Sequence, residues 1–169
     1  MVYAVVLAAG ASSRYGVSPP KQQALLPHVL AALRRSEALG GILVVTGAHE
    51  VETDVPTVRC PDWARGPGAS LRCGLAALPD GVEAAVAVLS DGPELDPRAL
   101  DRVVASWRAE GGAAVAATYG GVRLHPLLLA RAAWPLVPDE GARSLAARGV
   151  PCDDLTPPGD VDVRPVPPT

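Results

Sequence analysis

The stretch VVLAAGASSRYGVSPPK, Val5 to Lys21, runs an apolar segment into a loop of small residues that carries two cations, Arg14 and Lys21. Lys21 is the only lysine among the fifteen Lys and Arg residues of the chain. Small residues such as Ala8, Ala9 and Gly10 let a ligand approach the backbone, whose N–H groups can then cradle phosphate oxygens. An arginine adds a planar fork and a lysine a point charge, both suited to a polyphosphate. The same segment also reads as an ordinary strand-to-helix turn with solvated cations, and it matches neither G-x-x-x-x-G-K-[ST] nor G-x-G-x-x-G. Asp91, in VLSDGPELDP, follows a buried-strand pattern and suits Mg²⁺, which takes one or two carboxylates and keeps phosphate and water ligands; alone, it reads first as a turn residue before Gly92-Pro93. Asp160 and Asp162, in GDVDVRP, alternate as on one face of a strand, toward one cation or toward solvent at a sheet edge. Ser70, in GPGASLRCGL, sits where a helix start meets flexible glycines, which suits a base or phosphate contact or simply a capped helix.

The elements that must position these residues alternate. Val2 to Leu7 is a continuous apolar run, as in a strand buried on both faces. Leu26, Val29, Leu30 and Leu33 form a helix stripe, with Pro27 expected in the first turn of that helix and Gly40-Gly41 ending it. Ile42 to Val45 is a second strand and Val55 to Arg59 a short third. Gly66, Pro67 and Gly68 read as a loop before a helix lined by Leu71, Leu75 and Leu78. A strand ends at Leu89, and Asp96 caps a helix whose first position is Pro97 and whose apolar face is Leu100, Val103, Val104 and Trp107. Ala113 to Thr118 is a further strand. A loop then leads to a helix over Asp139 to Arg148, closed by Gly149, and a short strand is expected around Val161–Val163 in a tail that is partly extended from about residue 157. This order predicts a three-layer α/β sandwich, a mostly parallel (mixed) sheet with helices on both faces, in one domain over residues 1–169.

The 169 residues suffice for one domain with a single sizeable core. Hydrophobic residues make up 49 % and charged residues 20 %, as in a folded globular protein. A net charge of −3 with no basic cluster argues against a nucleic-acid partner. No apolar run approaches the roughly 18 residues of a membrane helix, and the start lacks the basic region of a signal peptide, so a cytoplasmic protein is expected. Cys60, Cys73 and Cys152 are odd in number and scattered, and suggest neither a zinc site nor a disulfide framework.

Together the motifs resemble those of the molybdenum-cofactor nucleotidyltransferases, a branch of the GT-A-like transferases with a Rossmann-like fold. VVLAAGASSRYG…PPK resembles L-A-[AG]-G-x-[SG]-x-R-[ML]-G followed by P-K. PDWARGPGASLRCGL resembles N-x-x-W-x-x-G-x-x-x-S-L-x-x-G-L, and VLSDGPELDP the D-x-P segment. RLHPLLLARAAWP, PDEGARSL and DVDV resemble G-H-P-V-L, G-D-x-G-A-R and D-[IV]-D-T, in family order. The resemblance implies transfer of a nucleoside monophosphate to molybdopterin, with pyrophosphate released. In it Leu7, Ala8, Ala9 and Gly10 line the nucleotide site, Arg14 and Lys21 hold the triphosphate, and Ser70 lies near the base or ribose. Asp91 binds Mg²⁺ with Asp160 or Asp162 as second ligand, and His125 faces the acceptor. The A-A-G of the first loop implies CTP over GTP. A phosphorylated small-molecule acceptor and a partner enzyme that receives the product are the other implied partners. The chain departs from the family pattern at Gly92, Leu124, Val163 and Arg164-Pro165-Val166, and in a shortened segment after Lys21. These departures keep two further readings open: transfer to a sugar or polyol phosphate, and a nucleotide-binding accessory protein without turnover.

Overall fold

The computed structural model describes residues 1–11 and 21–160. Arg14, Asp162 and the expected strand at Val161–Val163 therefore lie outside the described residues. A seven-stranded sheet runs in the order β3-β2-β1-β4-β6-β5-β7. Its strands are β1 (Val2–Ala8), β2 (Gly41–Thr46), β3 (Thr57–Arg59), β4 (Ala84–Leu89), β5 (Ala114–Tyr119), β6 (Val122–Ala130) and β7 (Arg148–Pro151). β1 pairs in parallel with β2 and β4, and β2 with β3. β6 runs antiparallel between β4 and β5, and β7 adds in parallel to β5, so the sheet is mixed.

The burial of β1 results from layers on both of its faces. Val2, Ala4, Val6 and Ala8 enter one apolar cluster with residues of α1 (Lys21–Arg34) and α3 (Pro97–Glu110). Val5, flanked by Tyr3 and Leu7, enters the other cluster, with residues of α2 (Pro67–Ala76). Alternate side chains of a strand point to opposite faces, so a strand covered on both sides needs apolar residues at every position. α2 approaches the sheet at Gly74, where an added Cβ would stand 2.6 Å from both Val5 Cγ1 and Val45 Cγ2. At the start of α3, the Asp96 carboxylate accepts from Arg98 N at 2.9 Å, as its capping role requires.

Four expectations are corrected. α1 begins at Lys21, which puts Pro27 inside the helix rather than in its first turn. An interior proline costs about 3 kcal/mol; the helix runs on through it with Leu25, Leu26, Val29, Leu30 and Leu33 buried on its apolar face. Pro67 and Gly68 belong to α2 itself, with Gly66 as its N-cap. The stretch 139–148 is not a helix: it holds a short 3-10 helix at Ala142–Ser144 and then enters β7. Pairing of Arg148–Pro151 with the open side of β5 overrides local helix preference there. Finally, Cys60 and Cys73 are joined by a disulfide, with Cα atoms 5.7 Å apart. They meet because α2 packs over β2 and β3, a proximity that their spacing does not disclose.

The loop expected after Thr118 is replaced by β6, entered through a tight turn at Gly120-Gly121 with φ of 57° and 79°. Two positive φ values are what a two-residue hairpin turn demands. Among the described residues no helix is long and apolar enough to cross a membrane.

Gly74→Ala is expected to lower the unfolding free energy by about 1–3 kcal/mol, because strand valines have little rotamer freedom with which to make room. Urea denaturation with an unchanged slope measures this; an unchanged midpoint would contradict the packing argument.

Candidate nucleotide site

The site forms where β1 and β4 end side by side. Leu7 and Ala8 are still strand residues: the Leu7 carbonyl accepts from Ser90 N at 3.1 Å, and Ala8 is in register with Thr46. The backbone becomes available only beyond them. The Ala9 carbonyl accepts from Ala48 N at 3.1 Å, and the Gly10 carbonyl from the buried Gln22 Nε2 at 2.8 Å. The Ala11 carbonyl lies 2.7 Å from His49 Nε2. In a trans peptide the following N–H points opposite to the carbonyl. Fixing the Ala9 and Gly10 carbonyls on these partners therefore turns the N–H groups of Gly10 and Ala11 the other way, as an anion-binding loop requires.

Lys21 opens α1 and reaches across this edge to Asp91, just past β4. Lys21 Nζ donates to Asp91 Oδ2 at 2.9 Å, with side-chain exposures of 15 % and 19 %. Two residues separated by 70 positions thus form a half-sheltered ion pair at the carboxyl ends of the central strands, where open α/β sheets bind ligands. Gly92 comes next, and an added Cβ there would stand 2.8 Å from His125 Cε1 and Nε2 and 3.2 Å from the Gly159 carbonyl. The absence of a side chain at Gly92 thus lets β6 and the C-terminal segment close on the Asp91 loop. Glu94 N donates to the Pro158 carbonyl at 3.0 Å, which sets the exposed Asp160 beside that loop.

His125 sits with both ring nitrogens shielded from solvent and without a hydrogen-bond partner among the described residues. Burial pushes its pKa down to about 4, against the opposing pull of the Asp91 carboxylate. The ring is therefore neutral near pH 7, with one donor and one acceptor to offer.

The wall beyond Ala9 is made by Trp63, in a short 3-10 helix over Trp63–Arg65. An added Cβ at Gly47 would stand 2.6 Å from Trp63 Cβ and 2.8 Å from the Ala9 carbonyl, so Gly47 lets the indole reach the first loop. Trp63 was not singled out by the sequence, although it is the only aromatic in its motif. Ser70 is 3 % exposed, one turn into α2, and lies within that packed layer rather than at the open edge with Lys21 and Asp91. The PDEGARSL segment docks on the same helix. Asp139 pairs with Arg72 and, at 3.0 Å, with Arg65, and its carbonyl accepts from Gly68 N at 2.9 Å. The Arg72 and then the Arg65 hydrogen bonds hold the Asp139 carboxyl below its usual range.

A hard divalent cation such as Mg²⁺ needs only one or two carboxylates, and Asp91 and Asp160 are of that chemical type. Asp91 and Asp160 belong to adjoining segments, and among the described residues no group of three or more His, Cys, Asp or Glu forms a closed metal cage. A cavity of about 460 Å³ near Glu94, Asp96 and Thr156 includes none of Lys21, Asp91 and His125.

Residues 4–151 match the MobA-like NTP transferase domain. The chain belongs to this family. Over 132 residues it is 34 % identical to a 2-C-methyl-D-erythritol 4-phosphate cytidylyltransferase of Stenotrophomonas maltophilia (strain R551-3), covering 69 % of this chain and 56 % of the relative. The chain thus spans about half the length of the curated relatives it matches, 56 % and 49 % for the Stenotrophomonas and Xanthomonas campestris enzymes. Among solved structures it is similar to Rv0371c from Mycobacterium tuberculosis H37Rv, at 26 % identity and a TM-score of 0.75, with 96 % of this chain and 94 % of that chain covered. It shares its fold with a CMP:2-keto-3-deoxy-manno-octonic acid synthetase complexed with CTP, at 12 % identity, a TM-score of 0.75 and coverage of 96 % and 93 %. The α/β nucleotidyltransferase fold of this MobA-like chain is therefore established.

The low pKa of His125 makes stability pH-dependent. Its folded value, about 4, lies below the ordinary 6.5, so the unfolded chain binds the proton more readily. This contribution is complete above pH 6.5 and is lost as pH falls from there through about 4. His125→Gln is expected to flatten that part of the stability–pH curve relative to the wild type. Parallel curves in chemical denaturation would contradict the assignment.

Proposed function

We propose that this protein is a Mg²⁺-dependent nucleotidyltransferase that moves CMP from CTP onto a phosphomonoester acceptor and releases pyrophosphate. The observation that carries the reading is the Lys21–Asp91 ion pair at the carboxyl ends of the central strands, in a chain of the MobA-like family. We take residues 1–169 as one transferase domain, working in the cytoplasm, where its triphosphate substrate is at hand.

Without ligand, Lys21 and Asp91 neutralise each other at 2.9 Å. With nucleotide bound, Lys21 turns to the triphosphate, joined by Arg14 and by the N–H groups of Gly10 and Ala11. Asp91, with Asp160 or Asp162, would hold the cation. Mg²⁺ bound there would supply charge neutralisation and orientation of the phosphates. An oxygen of the acceptor phosphate forms a bond to the α-phosphorus, and the bond from that phosphorus to the bridging oxygen breaks, its electron pair leaving with pyrophosphate. The acceptor phosphate is already anionic near neutral pH, so these residues need only align and neutralise. Leu7 and Ala8 set the loop's origin, Ala9 limits the space beside the base, and Trp63 and Ser70 belong to the wall on that side. His125, neutral beside Gly92, lies on the acceptor side, with a partner enzyme taking the product.

Two acceptor classes have support. The motif set resembles molybdopterin transferases, which favours molybdopterin. The curated relatives are named for a polyol phosphate, which favours a sugar or polyol phosphate.

Lys21→Ala and Asp91→Asn are each expected to lower turnover about 10²–10³-fold, the scale for losing one preorganised electrostatic contact. Pyrophosphate release is to be measured with CTP, GTP, ATP or UTP against molybdopterin, 2-C-methyl-D-erythritol 4-phosphate and simple sugar phosphates. Mg²⁺-dependent release with CTP and one acceptor supports the proposal and selects the acceptor class. Full turnover in either variant would overturn the assigned roles, and no release with any pair would leave the accessory-protein reading in its place.

A further inference from the structure

The Cys60–Cys73 bond lies outside the chemistry proposed above, yet it encloses one wall of the site. Cys60 comes directly after β3, a three-residue strand that among the described residues pairs only with β2, and Cys60 N extends that ladder by donating to the Thr46 carbonyl at 2.8 Å. Cys73 lies on α2, which is anchored on β1 and β2 at Gly74. The bond therefore ties a short edge element to a firmly seated helix, closing a loop with a sequence separation of 13. Within this loop lie Trp63, which abuts Gly47 beside Ala9; Arg65, which grips Asp139; and Ser70. The hydrogen bonds that hold the 3-10 helix itself are local, Arg65 N to the Asp62 carbonyl and Gly66 N to the Trp63 carbonyl.

The two sulfurs differ in access. Cys60 is 0 % exposed, whereas Cys73 is half-buried, so Cys73 is the more exposed of the two residues. Cys152, buried in the opposite layer, is free and takes no part.

We propose that Cys60 and Cys73 form a reversible thiol–disulfide pair whose oxidation state sets the affinity of the nucleotide site. The inference rests on the nucleotidyltransferase reading. In the oxidising direction the Cys73 thiolate attacks a low-molecular-weight disulfide, forming a mixed disulfide and expelling one small thiolate. The Cys60 thiolate then attacks the Cys73 sulfur and expels the second. Two cysteine thiols are oxidised, one small disulfide is reduced to two thiols, and the protons of Cys60 and Cys73 pass to these products. A small thiol reverses the sequence by attacking Cys73, with Cys60 as the leaving group. Disulfides of this kind in a reducing compartment are usually redox-sensing or catalytic rather than structural. Opening the bond frees the 61–66 segment that leads into α2, and nucleotide binding must then order it at an entropic cost that the closed form has already met.

The test uses the full chain, equilibrated with glutathione disulfide or with reduced glutathione. Alkylation and intact mass count the reactive thiols, hydrogen exchange tracks residues 61–66, and calorimetry gives the Kd for CTP with Mg²⁺. The expected result is that Cys60 and Cys73 lose and regain reactivity together, exchange over 61–66 speeds up on reduction, and CTP binds about tenfold more weakly in the reduced form, within the usual range of coupling between sites. Cys73→Ser is expected to stay at the reduced wild-type affinity and to ignore either reagent. Failure of the pair to oxidise, or equal affinity in both forms, would overturn this inference alone. No CTP binding in either form would overturn the nucleotide-site reading and, with it, the claim about affinity; the thiol count and exchange data would still separate that outcome from failure of the switch.

Discussion

β1 has apolar layers on both of its faces, and most of the architecture depends on that constraint. Its even-numbered residues feed the layer under α1 and α3, and Val5 feeds the layer under α2. A strand so enclosed leaves the chain nowhere to turn but at the carboxyl edge of the sheet. There the small residues Ala9 and Gly10 emerge beside the end of β4. The Ser90 N to Leu7 carbonyl bond keeps the two strand ends level, so that the loop leaving β1 and the loop leaving β4 share one edge.

That edge concentrates charge in a half-sheltered place. Lys21 and Asp91 are less than a fifth exposed, so their attraction is screened less than that of a surface pair. Neither group can be left there alone without cost, and on the proposed reading a metal-bound triphosphate would offer each a replacement partner. The neutral His125 behind Gly92 adds no net charge, and the Trp63 wall supplies apolar surface on the other side.

The parts of this arrangement that were legible in the sequence are those with a local signal. The double-sided apolar runs of β1, β2 and β4, and the Asp96-Pro97 start of α3, announce themselves through periodicity and capping. Lys21 stood out as the sole lysine, but its partner 70 residues away did not, because pairing across a sheet edge leaves no trace in spacing. β6 was hidden by Pro126, which argues against an interior strand, although Gly120-Gly121 carried a hairpin signal. β7 was hidden because Gly149 and Pro151 are poor strand residues that pair only because β5 offers an open side. The packing of Trp63 and Ala9 around Gly47 and the bond of Cys60 to Cys73 depend on how α2 settles over β2 and β3, which is a property of packing rather than of pattern.

The central claim is that Lys21 exchanges its bond to Asp91 for one to a nucleotide phosphate. Because Lys21 is the only lysine in the chain, protein labelled with ¹³C or ¹⁵N lysine reports this ammonium as a single side-chain resonance. The account predicts that this resonance shifts on saturation with CTP and Mg²⁺ and stays in place with cytidine, which has the base but no phosphate. A resonance that is unmoved by CTP and Mg²⁺ while the nucleotide is bound would contradict it.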